Sequence, residues 1–92
     1  MNRQRITEYL ESNGFKHSTK GFHYLTLAIE MASEAGVYTY IEPIKESIAV
    51  RCGDTKDRVD RAMRYAIHKS GSKDTIKEFV LKAVWELRYA DM

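Results

Sequence analysis

Glycines at positions 14, 36, 53 and 71 each fall just past a stretch whose apolar residues recur at helical spacing. That spacing lays side chains along one stripe of an α-helix, and glycine most readily takes the left-handed conformation in which helices end. The punctuation therefore cuts the chain into short helices. Ile6, Tyr9 and Leu10 predict a first helix over 4–12, and Phe22, Leu25, Ile29 and Ala32 predict a second from 18 or 19 to 35, the central core helix. Ile41, Ile44, Ile48 and Ala49 predict a third over 39–52, with Thr39 and Glu42 spaced as a capping box and Pro43 still in the first turns. A fourth begins after Asp54 or Thr55, either of which suits an N-cap, and runs to 69. The last spans 75–89, opened by Thr75 and Glu78 as a capping box and carrying Ile76, Phe79, Val80, Ala83, Val84 and Leu87 on one face. The β-leaning run 37–41 is the one segment that pulls against a wholly helical reading.

The expected fold is all-α, a compact bundle of about five helices in a single domain over 1–92. Hydrophobic residues at 43%, charged residues at 30% and a single proline fit a soluble helical domain. One cysteine, Cys52, allows neither an internal disulfide nor a multi-cysteine metal site, and it is read as a packing residue. The polar start from Met1 to Arg5 lacks an apolar signal core, and no apolar run reaches spanning length, so a cytoplasmic chain without membrane attachment is expected. His17, His23 and His68 lie on different predicted elements, Glu30, Glu34, Glu42 and Glu46 read as solvated helix faces, and Phe22, Tyr24, Phe79 and Trp85 read as core or partly buried. With no nucleophile–base pair, phosphate loop or metal triad, the expectation is a non-enzyme without cofactor, metal or small-molecule substrate.

The net charge of +2 and pI near 8.7 permit an anionic partner without requiring one, so the placement of charge decides. In the segment 46–67, Ala49, Gly53 and Val59 appear in the order a helix-turn-helix needs: a small residue at the helix contact, a turn glycine, and an apolar anchor beneath the second helix. Ile48 and Cys52 flank the first of these, and Ala62 supports the last. At about 100° per residue, Val59, Ala62, Met63 and Ala66 point one way. Asp57, Asp60, Arg61, Arg64 and His68 point the other way, with Arg58 and Tyr65 on a flank. Guanidinium forks match the acceptor pair of guanine, and a carboxylate can accept from the amino group of cytosine. A solvated face with Asp60 and Arg64 paired one turn apart is the plainer reading of the same charges.

The stretches Lys20-Gly-Phe-His-Tyr-Leu-Thr-Leu-Ala-Ile-Glu-Met, Ser47-Ile-Ala and Arg58-Val-Asp-Arg-Ala-Met-Arg-Tyr-Ala-Ile closely resemble the C-terminal DNA-binding domain of the sporulation master response regulator family, stage zero sporulation protein A. The likeness runs from about Ile6 to Arg88. It implies a sequence-specific double-stranded DNA-binding domain of a transcription regulator or accessory factor, with base or backbone contact by Arg58, Asp60, Arg61 and Arg64. Adding their neighbours on the same helix, the candidate DNA contacts are Lys56, Arg58, Asp60, Arg61, Arg64, Tyr65 and His68. The chain departs from the family at Asp60, where Glu is usual, and at Tyr65, where His is usual. A short link over 70–74 replaces an additional helical stretch, and no phospho-receiver domain is expected before the first helix. Binding as two copies on tandem or inverted half-sites is expected, with Trp85 and Tyr89 of the last helix as the candidate contact. The alternative class is a protein-interaction adaptor or antagonist of a related regulator.

Overall fold

A computed structural model describes residues 2–35 and 40–89. They form five helices, α1 (Arg3–Ser12), α2 (Lys20–Ala35), α3 (Ile41–Cys52), α4 (Lys56–Lys69) and α5 (Ile76–Tyr89), and no strand occurs among the described residues. The all-α bundle is as expected. Gly36, the β-leaning run over 37–39 and the Thr39 half of the expected capping box lie outside the described residues.

Local chemistry explains the helix starts. The first turn of a helix leaves amide donors without internal acceptors, so side-chain oxygens before it are stabilising. Asn2 Oδ1 accepts from the Gln4 amide at 2.8 Å, Thr19 Oγ1 from Phe22 at 3.1 Å and Thr55 Oγ1 from Arg58 at 3.2 Å. The Thr75–Glu78 box closes both ways, with the Glu78 amide donating to Thr75 Oγ1 at 3.1 Å and the Thr75 amide donating to Glu78 Oε1 at 3.0 Å. α3 differs: it starts at Ile41 behind Tyr40, whose side chain makes no capping bond.

Helix α2 is the hub and packs against each of the other four helices. From Gly21 to Ile29 every residue except His23 is buried, the pattern of a helix covered on most sides. Leu25 and Ile29 meet a core that includes Ile6, Leu10, Ile48, Val59, Met63, Ile67 and Val80, all fully buried. Phe15, in the link after α1, packs on Phe79 of α5 with ring centroids 5.1 Å apart.

The α2–α4 contact depends on Gly21. A β-carbon at that position would lie 2.4 Å from the Ala62 carbonyl oxygen and 2.6 Å from Ala66 Cβ, so the backbones approach as closely as a hydrogen side chain permits. This approach seats α4 on the hub and leaves its opposite face outward.

Polar links lock the remaining helices. Arg3 grips Glu30 through two bonds of 3.0 and 2.8 Å, Tyr9 donates to Glu86 at 2.5 Å, and Arg88 donates to the Ser33 carbonyl at 2.8 Å. Glu30, expected to be solvated, is thus tied to α1. Trp85 also departs from expectation, being 61% exposed. The stripe of α5 is already filled by Ile76, Phe79, Val80, Ala83, Val84 and Leu87, and Trp85 falls one residue beyond it, beside Tyr89 with ring centroids 4.5 Å apart.

Candidate nucleic-acid interface

Three residues, 53–55, connect α3 to α4, and each has a distinct task. Gly53 takes φ +64° and ψ +39°, the left-handed conformation that ends α3, while its amide and that of Asp54 both turn back to the Ala49 carbonyl, the latter at 2.9 Å. Asp54 accepts from the Tyr24 hydroxyl at 2.6 Å and from the Thr55 amide at 2.9 Å. The turn is therefore fastened to the hub helix. The Tyr24 bond, then the Thr55 amide, hold the Asp54 carboxyl below its ordinary range, and the same bond with burial pushes the Tyr24 phenol up to about 12. Thr55 then caps α4.

On α4, Val59, Met63, Ala66 and Ile67 are buried against the core, with Ala62 half-buried. The outward face carries Asp57, Arg58, Arg61, Arg64, Tyr65, His68 and Lys69, all exposed. Arg61 stands at the middle of that face and has no hydrogen-bond or ion-pair partner among the described residues. Arg58, 74% exposed, lies 3.9 Å from Asp54, and the Lys69 ammonium sits 6.0 Å from the centre of the Tyr65 ring.

Five of the seven sequence candidates, Arg58, Arg61, Arg64, Tyr65 and His68, share this face; Lys56 and Asp60 turn toward α3. Lys56 contacts Glu42 at 3.0 Å and Glu46 at 3.5 Å. Asp60 does not point directly away from the core, as the helical projection had it. It lies at the α3 border, where Lys45 Nζ donates at 2.6 Å and Arg64 bonds both carboxylate oxygens at 3.2 and 3.0 Å. The reason is geometric: Ile67 is buried as well, which rotates the centre of the buried stripe toward position 60. Burial raises the Asp60 carboxyl, but the Lys45 and Arg64 bonds outweigh it and hold the group ionised below its ordinary range.

Lys45 was missed in the sequence. It is 7% exposed and also bonds Glu42 at 2.9 Å. The available signal was a lysine interrupting the apolar stripe of Ile41, Ile44 and Ile48 with an acid one turn before it. The arrangement has a chemical consequence: Asp60 fixes the direction of Arg64 while Arg61 stays unengaged, so the face presents guanidinium forks of two kinds, one held and one without a partner among the described residues.

Among the described residues no group of histidine, cysteine and acidic side chains is placed to hold a metal ion, and no helix is long and apolar enough to cross a membrane. No curated protein matches the chain. The family model of the sporulation initiation factor Spo0A C terminal matches residues 6–89, nearly the whole sequence and all of the α3–α4 unit. That family is a DNA-binding effector domain. With the match covering every helix that builds the basic face, the chain belongs to the Spo0A C-terminal family.

Proposed function

We propose that the chain binds double-stranded DNA in a sequence-specific manner by laying α4 in the major groove, with α3, the turn and α4 acting as a helix-turn-helix, and that it serves as a transcription regulator or accessory factor. The observation that carries this reading is the outward face of α4, where Arg58, Arg61 and Arg64 stand on a helix whose other side is seated on α2 and α3. A helix is about 10–12 Å across with its side chains, and the major groove is about 12 Å wide, so one helix fits.

Arg61 and Arg64 are the base-reading residues in this account, Arg61 from the centre of the face and Arg64 from a rotamer held by Asp60. Arg58, Tyr65, His68 and Lys69 meet the flanking backbone. Lys56 leaves its α3 acids for a phosphate or bridges to one. Asp60 acts through Arg64 rather than by accepting from a cytosine, since both of its oxygens already have cationic donors.

Two copies on repeated half-sites are proposed as the binding unit, because one small module buries limited surface. The exposed Trp85–Tyr89 pair on α5 is the contact offered for it. That pair also supports the second reading, an adaptor that keeps the fold but engages a protein. A salt series on random duplex separates the two, since DNA binding weakens steeply through counterion release. Selection from a random duplex pool then returns a sharp motif if α4 reads bases, and no enrichment if it does not.

A further inference from the structure

Between α3, the end of α4, the link after it and the start of α5 lies a hollow of about 320 Å³ lined by Lys45, Arg64, His68, Lys73, Lys77 and Asp74. Four permanent cations face one carboxylate there. Asp60 and Glu42 already answer Lys45, and Asp60 answers Arg64, but Lys73, Lys77 and His68 have no ion-pair partner among the described residues. Asp74, the one acid in the lining, has its Oδ2 3.7 Å from Lys82, and that buried oxygen makes no hydrogen bond among the described residues. Thr75 and Ile76 also line the hollow, but the Thr75–Glu78 box already satisfies two amides at that helix end, so the lysine, arginine and histidine side chains supply the positive lining. The hollow is therefore a cation-lined pocket assembled from three helices and a link, with two lysines that have no ion-pair partner among the described residues.

Its position selects the anion. Arg64 and His68 belong both to the hollow and to the outward face of α4, so the pocket borders the surface that meets the groove. The walls of a major groove are rows of phosphates. We infer that this hollow, with Lys73 and Lys77, clamps one phosphodiester of the DNA backbone beside the groove that α4 enters. The inference rests on the proposed docking of α4. It gives the short link over 70–74 a task in register: a backbone contact that fixes where along the duplex Arg61 and Arg64 fall, while carrying no base preference itself.

The test is the double variant Lys73→Gln/Lys77→Gln in the full chain, titrated with random and with selected duplex across a salt series. Both side chains are exposed, and unchanged helicity and melting check the fold. The expected result is a slope of log affinity against log salt shallower by about 1, a loss of roughly three- to tenfold at 0.1 M salt shared by both duplexes, and unaltered base preference. An unchanged slope in a variant that still binds overturns the clamp alone. A loss confined to the selected duplex overturns its backbone role. Parent protein with no salt-sensitive duplex binding overturns the clamp and the docking of α4 together. In a second arm, inorganic phosphate is added at matched ionic strength. Saturable shifts at the Lys73 and Lys77 amides that duplex does not displace would assign the pocket to a free anion and overturn the DNA source.

Discussion

The ammonium of Lys45 on α3 lies 2.6 Å from Oδ1 of Asp60 on α4, and Asp60 in turn holds the guanidinium of Arg64. A structural ion pair thus ends in an exposed arginine, coupling the packing of α3 on α4 to the aim of a side chain on the outward face. Removing one member of such a pair leaves the other charge half-satisfied in a poorly solvated place, which costs more than the pair contributes.

Asp60→Asn and Lys45→Met should each lower stability by about 1 to 3 kcal/mol, and the double variant should lose less than the sum, with a coupling of about 1 to 2 kcal/mol. Denaturant unfolding of the four proteins measures this. Additive losses would show that the two side chains do not meet.

The carboxylates give the sign of the pH dependence. Asp60, Asp54, Glu42 and Glu30 all titrate below their ordinary values in the folded chain, so each contributes stability that is present above the unfolded pKa and lost as pH falls through the folded one. Melting temperature should decline as pH drops below about 4. Tyr24 works in the opposite direction: its folded value is raised to about 12, so its neutral form stabilises the fold below the ordinary phenol value near 10, and this is lost as pH climbs through 12. In Tyr24→Phe the alkaline part of the profile should flatten, followed by the ring carbon shift of Tyr24 in the parent.

Gly21→Val should damage the bundle, because a branched side chain must enter a space where even a β-carbon meets the Ala62 carbonyl at 2.4 Å. Overpacking of this kind costs about 1 to 3 kcal/mol. Gly21→Ala should fall between the parent and Gly21→Val. A melting temperature equal to the parent's for Gly21→Val would mean that α2 and α4 are farther apart.

Gly53 tests a different cause. A β-carbon there would meet nothing within 4 Å, so only the backbone angle of φ +64° resists substitution. Gly53→Val should cost about 1 to 3 kcal/mol, whereas Gly53→Asn, which tolerates the left-handed region, should cost clearly less. Equal losses for Val and Asn would point to crowding rather than strain.

What could be read from the sequence was local. Thr55 before α4, the Thr75–Glu78 box and glycines 53 and 71 act within a few residues, so helix ends were legible to within about a turn. The relationships that failed to show are between helices. The need for Gly21 is set by Ala62 and Ala66 across an interface, and the partner of Asp60 comes from the preceding helix. A stripe of Val59, Ala62, Met63 and Ala66 alone puts Asp60 opposite the core, and the burial of Ile67 turns it toward α3. Helical spacing places Trp85 in the core or partly buried, yet the stripe of α5 is complete without it and the ring is exposed.

The central claim is that α4 reads bases with Arg61 at the middle of its outward face, and Arg61→Ala measured on a selected duplex tests it most directly. The side chain is exposed and unpartnered among the described residues, so helicity and melting should stay at the parent values. Affinity for the selected duplex should fall with a loss of about 1 to 3 kcal/mol of discrimination at one guanine, while binding to random duplex changes far less. A variant that binds the selected duplex as tightly and as selectively as the parent would contradict the account and move the interface off α4.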